Sequence, residues 1–116
     1  MAADLTSLIA SLRQFSRERD WEQFHSPKNL ACALAVEAGE LLEHFQWLSD
    51  EKSRELPEQV MPEVAAELAD VFLYLLQLSD ALGIDLVSAA EQKILKNAEK
   101  YPIDRSRGNS RKYTQL

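Results

Sequence analysis

Four carboxylates occupy positions where an apolar helix offers no obvious place for acids. Glu37 and Glu40 lie in LACALAVEAGELLEHFQWL, and Glu67 and Asp70 lie in VAAELADVFLYLLQL. Leu30, Leu34, Glu37, Leu41, Phe45 and Leu48 advance in steps of three and four, so they share one helical stripe, and Glu37 interrupts it from within. Val64, Glu67, Val71 and Leu78 form a second stripe, with Glu67 as the intruder. A buried carboxylate without a partner is costly, so it must be neutral, paired or metal-bound. Residues three apart on a helix have Cβ atoms about 5–6 Å apart, so each pair can aim two carboxylates at one point. Two such helices packed antiparallel would bring four hard oxygen ligands together, the preference of Mg²⁺ with Mn²⁺ as the alternative. A cation held there points to phosphate chemistry.

Two other uses for these acids fit less well. Solvated surface acids are often matched four residues on by Lys or Arg; here those positions hold Leu41, His44, Val71 and Tyr74. Glu63 adds another acid four residues before Glu67. A di-iron bundle wants Glu-x-x-His motifs, whereas Glu40 and His44 are four apart and the second helix has no histidine.

The elements that must carry these residues read as all-α. Gly occurs three times, and no run of alternating β-branched residues appears. A first helix is expected over 4–19, with Leu5, Leu8, Ile9, Leu12 and Phe15 on one face. The link ERDWEQFHSPKN follows. Ser26 and Pro27 form an N-cap and N1 pair, so a second helix should run from there to about Trp47. Gly39 in its interior costs about 1 kcal/mol against alanine, which implies a packing or close-approach reason. Residues 49–61 are polar and fit a short helix or turn. Pro62 suits N1 of the next helix, which should reach about Leu82, with Gly83 as its C′ residue. Asp85 should cap a last helix ending near Lys100, before Pro102. The expected architecture is a bundle of four to five helices with antiparallel central helices. It comprises a domain over 1–100 and a basic tail over 101–116, either disordered or a lid. The all-round apolar character of VFLYLLQL fits burial on two sides, and hence an oligomer.

Bulk composition narrows the class. The 116 residues suffice for one small domain. Net charge is −6, which argues against a nucleic-acid coat protein. Residues 1–100 carry nine basic and eighteen acidic side chains, a net of −9. The tail carries Arg105, Arg107, Arg111 and Lys112 against Asp104, a net of +3. An acidic body and a basic tail suit a cation and a phosphate ligand. The lone Cys32 cannot form an internal disulfide, fits a cytoplasmic setting, and is expected to be a small buried hydrophobe. No signal peptide is read at the N-terminus, and no apolar run approaches the ~20 residues of a membrane span.

EAGE followed by ELAD on consecutive helices resembles the MazG-like all-α nucleoside triphosphate pyrophosphohydrolases. RDWEQFHSPKNL, EAGELLEHFQW, ELADVFLYLL and KYPIDRSRGNSRKYTQL are similar to the dCTP pyrophosphatase branch over nearly the whole chain. The resemblance implies that Glu37, Glu40, Glu67 and Asp70 ligate Mg²⁺. It implies cleavage between the α- and β-phosphates of dCTP or a modified dCTP, releasing dNMP and pyrophosphate. It also implies a homotetramer with shared sites. Two departures bear on this. Val36 stands where many relatives carry the first of two adjacent glutamates, and Leu12 where some carry a histidine near the base.

Without a Ser–His or Cys–His pair, direct attack by water is the simpler chemistry, with Glu40 the candidate to orient that water or take its proton. An apolar base slot can draw on Trp21, Phe24, His25, Trp47 and Tyr74, which the resemblance also assigns to the nucleoside pocket. Lys93 and Asn97 share a helix face and can read base or phosphate; Arg111 and Lys112 can close over the triphosphate. No glycine-rich phosphate loop occurs. The expected partner is a small nucleotide, with neither nucleic acid nor membrane involved. The rivals are a non-catalytic helical oligomerisation module whose acids bind structural cations, and a pyrophosphohydrolase for another base such as dUTP.

Overall fold

A computed structural model describes residues 4–116, and these are all helix, turn and loop. They form six α-helices, two of them four-residue turns, and two short 3₁₀ segments. Among the described residues two compact units are present, residues 4–83 and 84–116.

In the first unit, α1 spans Leu5–Glu18. Asp4 caps it by accepting from the Ser7 amide at 2.8 Å, while the Ser7 hydroxyl accepts from the Asp4 amide at 3.1 Å. This reciprocal pair satisfies two of the amides that a helix start leaves bare. Past its end, Asp20 takes a left-handed conformation, φ 53°, and the Trp21 amide donates back to the Ser16 carbonyl at 2.9 Å. Gln23 Nε2 donates to both Asp20 oxygens, backbone and Oδ2, at 3.0 Å. The reversal is thereby fixed, and the 3₁₀ turn Glu22–Phe24 follows it.

Helix α2 spans Pro27–Glu43, with the Ser26 hydroxyl accepting from the Asn29 amide at 3.2 Å. Ser26→Ala should lower unfolding free energy by about 1 kcal/mol, read as a reduced denaturant midpoint at unchanged slope. The expected extension to Trp47 is corrected. After Glu43 the ladder tightens into successive turns, with the His44 amide bonded to Leu41 and that of Phe45 to Leu42. Frayed 3₁₀-type turns are what a helix end adopts when no glycine caps it. Ser49 then caps the one-turn α3, Asp50–Ser53.

Helix α4 spans Met61–Ala81, so Pro62 is its second residue rather than its first. That position still lies in the first turn, where a missing N–H costs nothing. Gly83 ends the helix at φ 66°, as a C′ glycine should. Helix α4 packs chiefly on α2 and also on α1. The core is small: Leu30, Val64 and Leu76 are buried, with Leu76 the most enclosed. Across the unit, Arg13 grips Asp80 through Nε–Oδ2 at 2.9 Å and a second bond from Nη2 to Oδ1, joining α1 to α4. Arg13 holds the Asp80 carboxyl below its ordinary range.

Burial of α4 on two sides is not reached within this chain. Leu68, Phe72 and Leu75 are exposed, as are Val36 and Leu42 of α2. Cys32 is exposed too, against expectation, because it lies on a side of α2 that no other helix covers. A Cβ built on Gly39 meets nothing within 4 Å, so the chain itself supplies no close approach there.

In the second unit, α5 spans Leu86–Lys100, capped by the Asp85 side chain accepting from the Ser88 amide at 3.1 Å. The tail forms α6, Ile103–Ser106, and a 3₁₀ turn at Tyr113–Gln115. It folds back on the end of α5: Tyr113 meets Tyr101 edge-on at 6.0 Å, and Lys100 Nζ lies 4.9 Å from its ring centre.

Candidate metal and nucleotide site

The α2–α4 pairing brings the acidic motifs together. One oxygen each from Glu37, Glu67 and Asp70 lies within 4.8 Å of the others. Glu37 and Glu67 are half-buried, and one oxygen of each, Oε2, is buried with no hydrogen-bond partner. The salt bridge found among the described residues, Arg13–Asp80, involves none of them. Burial first, then the neighbouring Glu40, Asp70 and Glu67, push the Glu37 carboxyl up to about 7. Converging carboxylates without a basic partner, two with orphaned buried oxygens, fit a hard divalent cation. Glu40 sits beside Glu37 on α2 and acts on its charge, but falls outside the three-oxygen cluster.

Asp70 also lines a cavity of about 450 Å³ between α1 and α4, which continues past Tyr74 to Trp21 and His25. Trp21 meets Phe15 edge-on at 5.6 Å and His25 at 6.3 Å, so three rings form one wall. The Ser16 hydroxyl lies 3.4 Å from His25 Nδ1 and orients that imidazole. A mostly apolar slot with a few polar groups and a candidate cation site at its rim has the form of a small-molecule pocket.

Of the remaining sequence candidates in the first unit, Phe24 and Trp47 do not line this cavity. Phe24 is exposed in its 3₁₀ turn, where its carbonyl accepts from Asn29 Nδ2 at 2.9 Å. Trp47 is 88% exposed in the turns after α2. Lys93, Asn97, Arg111 and Lys112 are exposed in the second unit. The cavity adds Phe15 and Gln77, which sequence reading had not singled out. The available signal for Gln77 was spacing: it is the one polar residue of VFLYLLQL other than Tyr74, and it stands seven residues after Asp70.

A sequence model described as the MazG-like family matches residues 32–116. The chain belongs to the MazG-like family. This MazG-like chain is 44% identical over 105 residues to dCTP pyrophosphatase 1 of Mus musculus, covering 89% of the chain and 62% of that protein. It is 44% identical over 107 residues to dCTP pyrophosphatase 1 of Homo sapiens, with the same coverage. The MazG-like chain thus spans about 62% of the length of these relatives. A solved pyrophosphatase from Archaeoglobus fulgidus superposes with a TM-score of 0.81 at 41% identity, covering 88% of this chain and 95% of that one.

Proposed function

We propose that this chain is a Mg²⁺-dependent nucleoside triphosphate pyrophosphohydrolase that converts dCTP, or a modified dCTP, and water to the monophosphate and pyrophosphate, cleansing the nucleotide pool. One observation carries the reading: a cluster of unpaired carboxylates shares Asp70 with an aromatic-walled cavity of about 450 Å³. The curated relatives named dCTP pyrophosphatase support cytosine as the base.

Glu37, Glu67 and Asp70, with Glu40 beside them, would hold Mg²⁺, with Mn²⁺ as the alternative. When bound, the ion would offset phosphate charge and make water a better nucleophile. Among the chain's own groups, Asp70 joins the phosphate end to the base slot. Glu40, lying outside the cluster, keeps an oxygen to orient the attacking water and take its proton. Water adds at phosphorus, the bridge between the α- and β-phosphates breaks, and pyrophosphate leaves. Trp21, His25 and Tyr74 enclose the nucleoside. Residues 1–100 serve as the catalytic domain. The tail over 101–116 brings Arg111 and Lys112 to the triphosphate, Lys93 and Asn97 add contacts, and Phe24 and Trp47 reach a nucleotide only in the assembled oligomer. The exposed Val36, Leu42, Leu68 and Phe72 support an oligomer, which we take to be a homotetramer. A dNTP-pool enzyme belongs in the cytoplasm.

The test is pyrophosphate release from a panel of canonical and 5-modified dNTPs, with Mg²⁺ and with chelator. Metal-dependent release that ranks dCTP first supports the reading. Release that ranks dUTP first transfers it to that base, and silence from a folded oligomer sinks it. Within the slot, Trp21→Ala should raise KM for dCTP about ten-fold with kcat little changed, because a stacked base is worth roughly 1–3 kcal/mol.

A further inference from the structure

Gln77 is the residue of the cavity that neither the fold nor the reaction accounts for. It lines the 450 Å³ cavity, and also a smaller one of about 200 Å³ beyond it, so it stands in the wall between the two. Its Oε1 is buried and has no hydrogen-bond partner. An amide oxygen left so is costly, unless a ligand completes it. Of the other polar side chains that line the smaller cavity, Ser16 is engaged with His25, and Arg13 with Asp80. Along α4, Asp70, Tyr74 and Gln77 fall on one stripe in steps of four and three. Seven residues at 1.5 Å rise place Gln77 about 10 Å from Asp70. The stripe therefore runs from acid, through aromatic ring, to carboxamide.

We propose that Gln77 reads the edge of the base. This rests on the nucleotide reading above, with the phosphates at the Asp70 end. A carboxamide carries one acceptor oxygen and an NH₂ donor side by side. The cytosine edge offers the complement, an exocyclic amine that donates beside a ring nitrogen that accepts. Rotation of the terminal torsion brings Oε1 onto the amine and Nε2 onto the ring nitrogen. Tyr74 and Trp21 hold the ring plane, and Gln77 supplies the directional contact that apolar walls lack.

The test compares the full chain with Gln77→Met, which keeps length and removes both polar groups, and with Gln77→Glu, which keeps an acceptor and loses the donor. Equilibrium binding is measured for dCMP, for 2′-deoxyribose 5-phosphate, which has no base, and for Mg²⁺ with inorganic triphosphate. Pyrophosphate release from dCTP is measured alongside, and circular dichroism and thermal midpoint monitor the fold. Gln77→Met should weaken dCMP roughly ten- to a hundred-fold and leave the two baseless ligands within about two-fold. Gln77→Glu should fall between. Equal weakening of all three ligands would make Gln77 a packing residue, and unchanged dCMP binding would remove it from the site; either overturns the inference. Selective loss of dCMP binding in a protein that never releases pyrophosphate would retain Gln77 as base reader and discard the hydrolase reading. Brisk dCTP turnover indifferent to Gln77→Met does the reverse.

Discussion

Replacing Glu67 by glutamine should cut metal-dependent pyrophosphate release by on the order of 10³-fold, a loss typical of removing one preorganised charge-stabilising group. The fold should survive. Glu67 is half-buried, its Oε2 is unpartnered, and it makes no salt bridge, so neutralising it removes repulsion rather than support. Circular dichroism should be unchanged and the metal-free thermal midpoint equal or higher. A non-catalytic oligomerisation module with a structural cation gives the opposite pair of results: no turnover to lose, and a midpoint in Mg²⁺ that drops in the variant. Measuring turnover and midpoint on one preparation separates the two.

The second large effect is linkage between protons and the cation at Glu37. Its carboxyl is raised from 4.5 to about 7, chiefly by burial and then by Glu40, Asp70 and Glu67. The folded state therefore holds this proton more tightly than the unfolded chain. The stabilisation is fully present below pH 4.5 and is lost as pH rises toward about 7. Asp80 works the other way: Arg13 lowers its pKa, so its contribution is present above the ordinary 3.8 and fades as pH falls through the lowered value. Metal-free protein should accordingly be more stable in mild acid than at neutral pH. Mg²⁺ needs the deprotonated carboxylate, so its apparent affinity should weaken by up to about ten-fold per pH unit below 7. Calorimetry in two buffers of different ionisation heat counts the released proton. Affinity that stays flat from about pH 5 to about pH 8 contradicts the assignment. Glu37→Gln should remove Mg²⁺ binding, abolish the loss of metal-free stability between pH 4.5 and about 7, and stabilise the metal-free chain at neutral pH by about 1 kcal/mol.

The acidic motifs were legible because periodicity makes a misplaced polar residue visible. Glu37 and Glu67 break apolar stripes, and the two helices that carry them do pack together. Two helix starts were legible as well, since Ser26 and Asp85 each use a side chain to satisfy a first-turn amide. The end of α2 was not, because the chain there offers neither glycine nor proline and unwinds through tightened turns. The Arg13–Asp80 pair joins residues 67 apart in sequence, a contact that local spacing cannot encode. Gln77 escaped notice because a single amide in an apolar run reads as tolerated polarity; only an unpartnered oxygen facing a cavity gives it a purpose. Gly39 and Cys32 were given packing reasons that this chain does not supply: a Cβ on Gly39 meets nothing within 4 Å, and Cys32 is exposed.

The single stripe on α4 has an evolutionary corollary. Glu67 and Asp70 occupy its first half, and Tyr74 and Gln77 its second. Substitutions in the later turns leave the carboxylates untouched, so a descendant can change its preferred base while inheriting the reaction whole. An inserted or deleted residue between the halves is different: it swings everything beyond it by about 100° around the axis, the angle of one residue at 3.6 per turn. Lineages built on this helix should therefore diversify by point replacement near its C-terminal end and hold the length of the segment from 67 to 77 fixed.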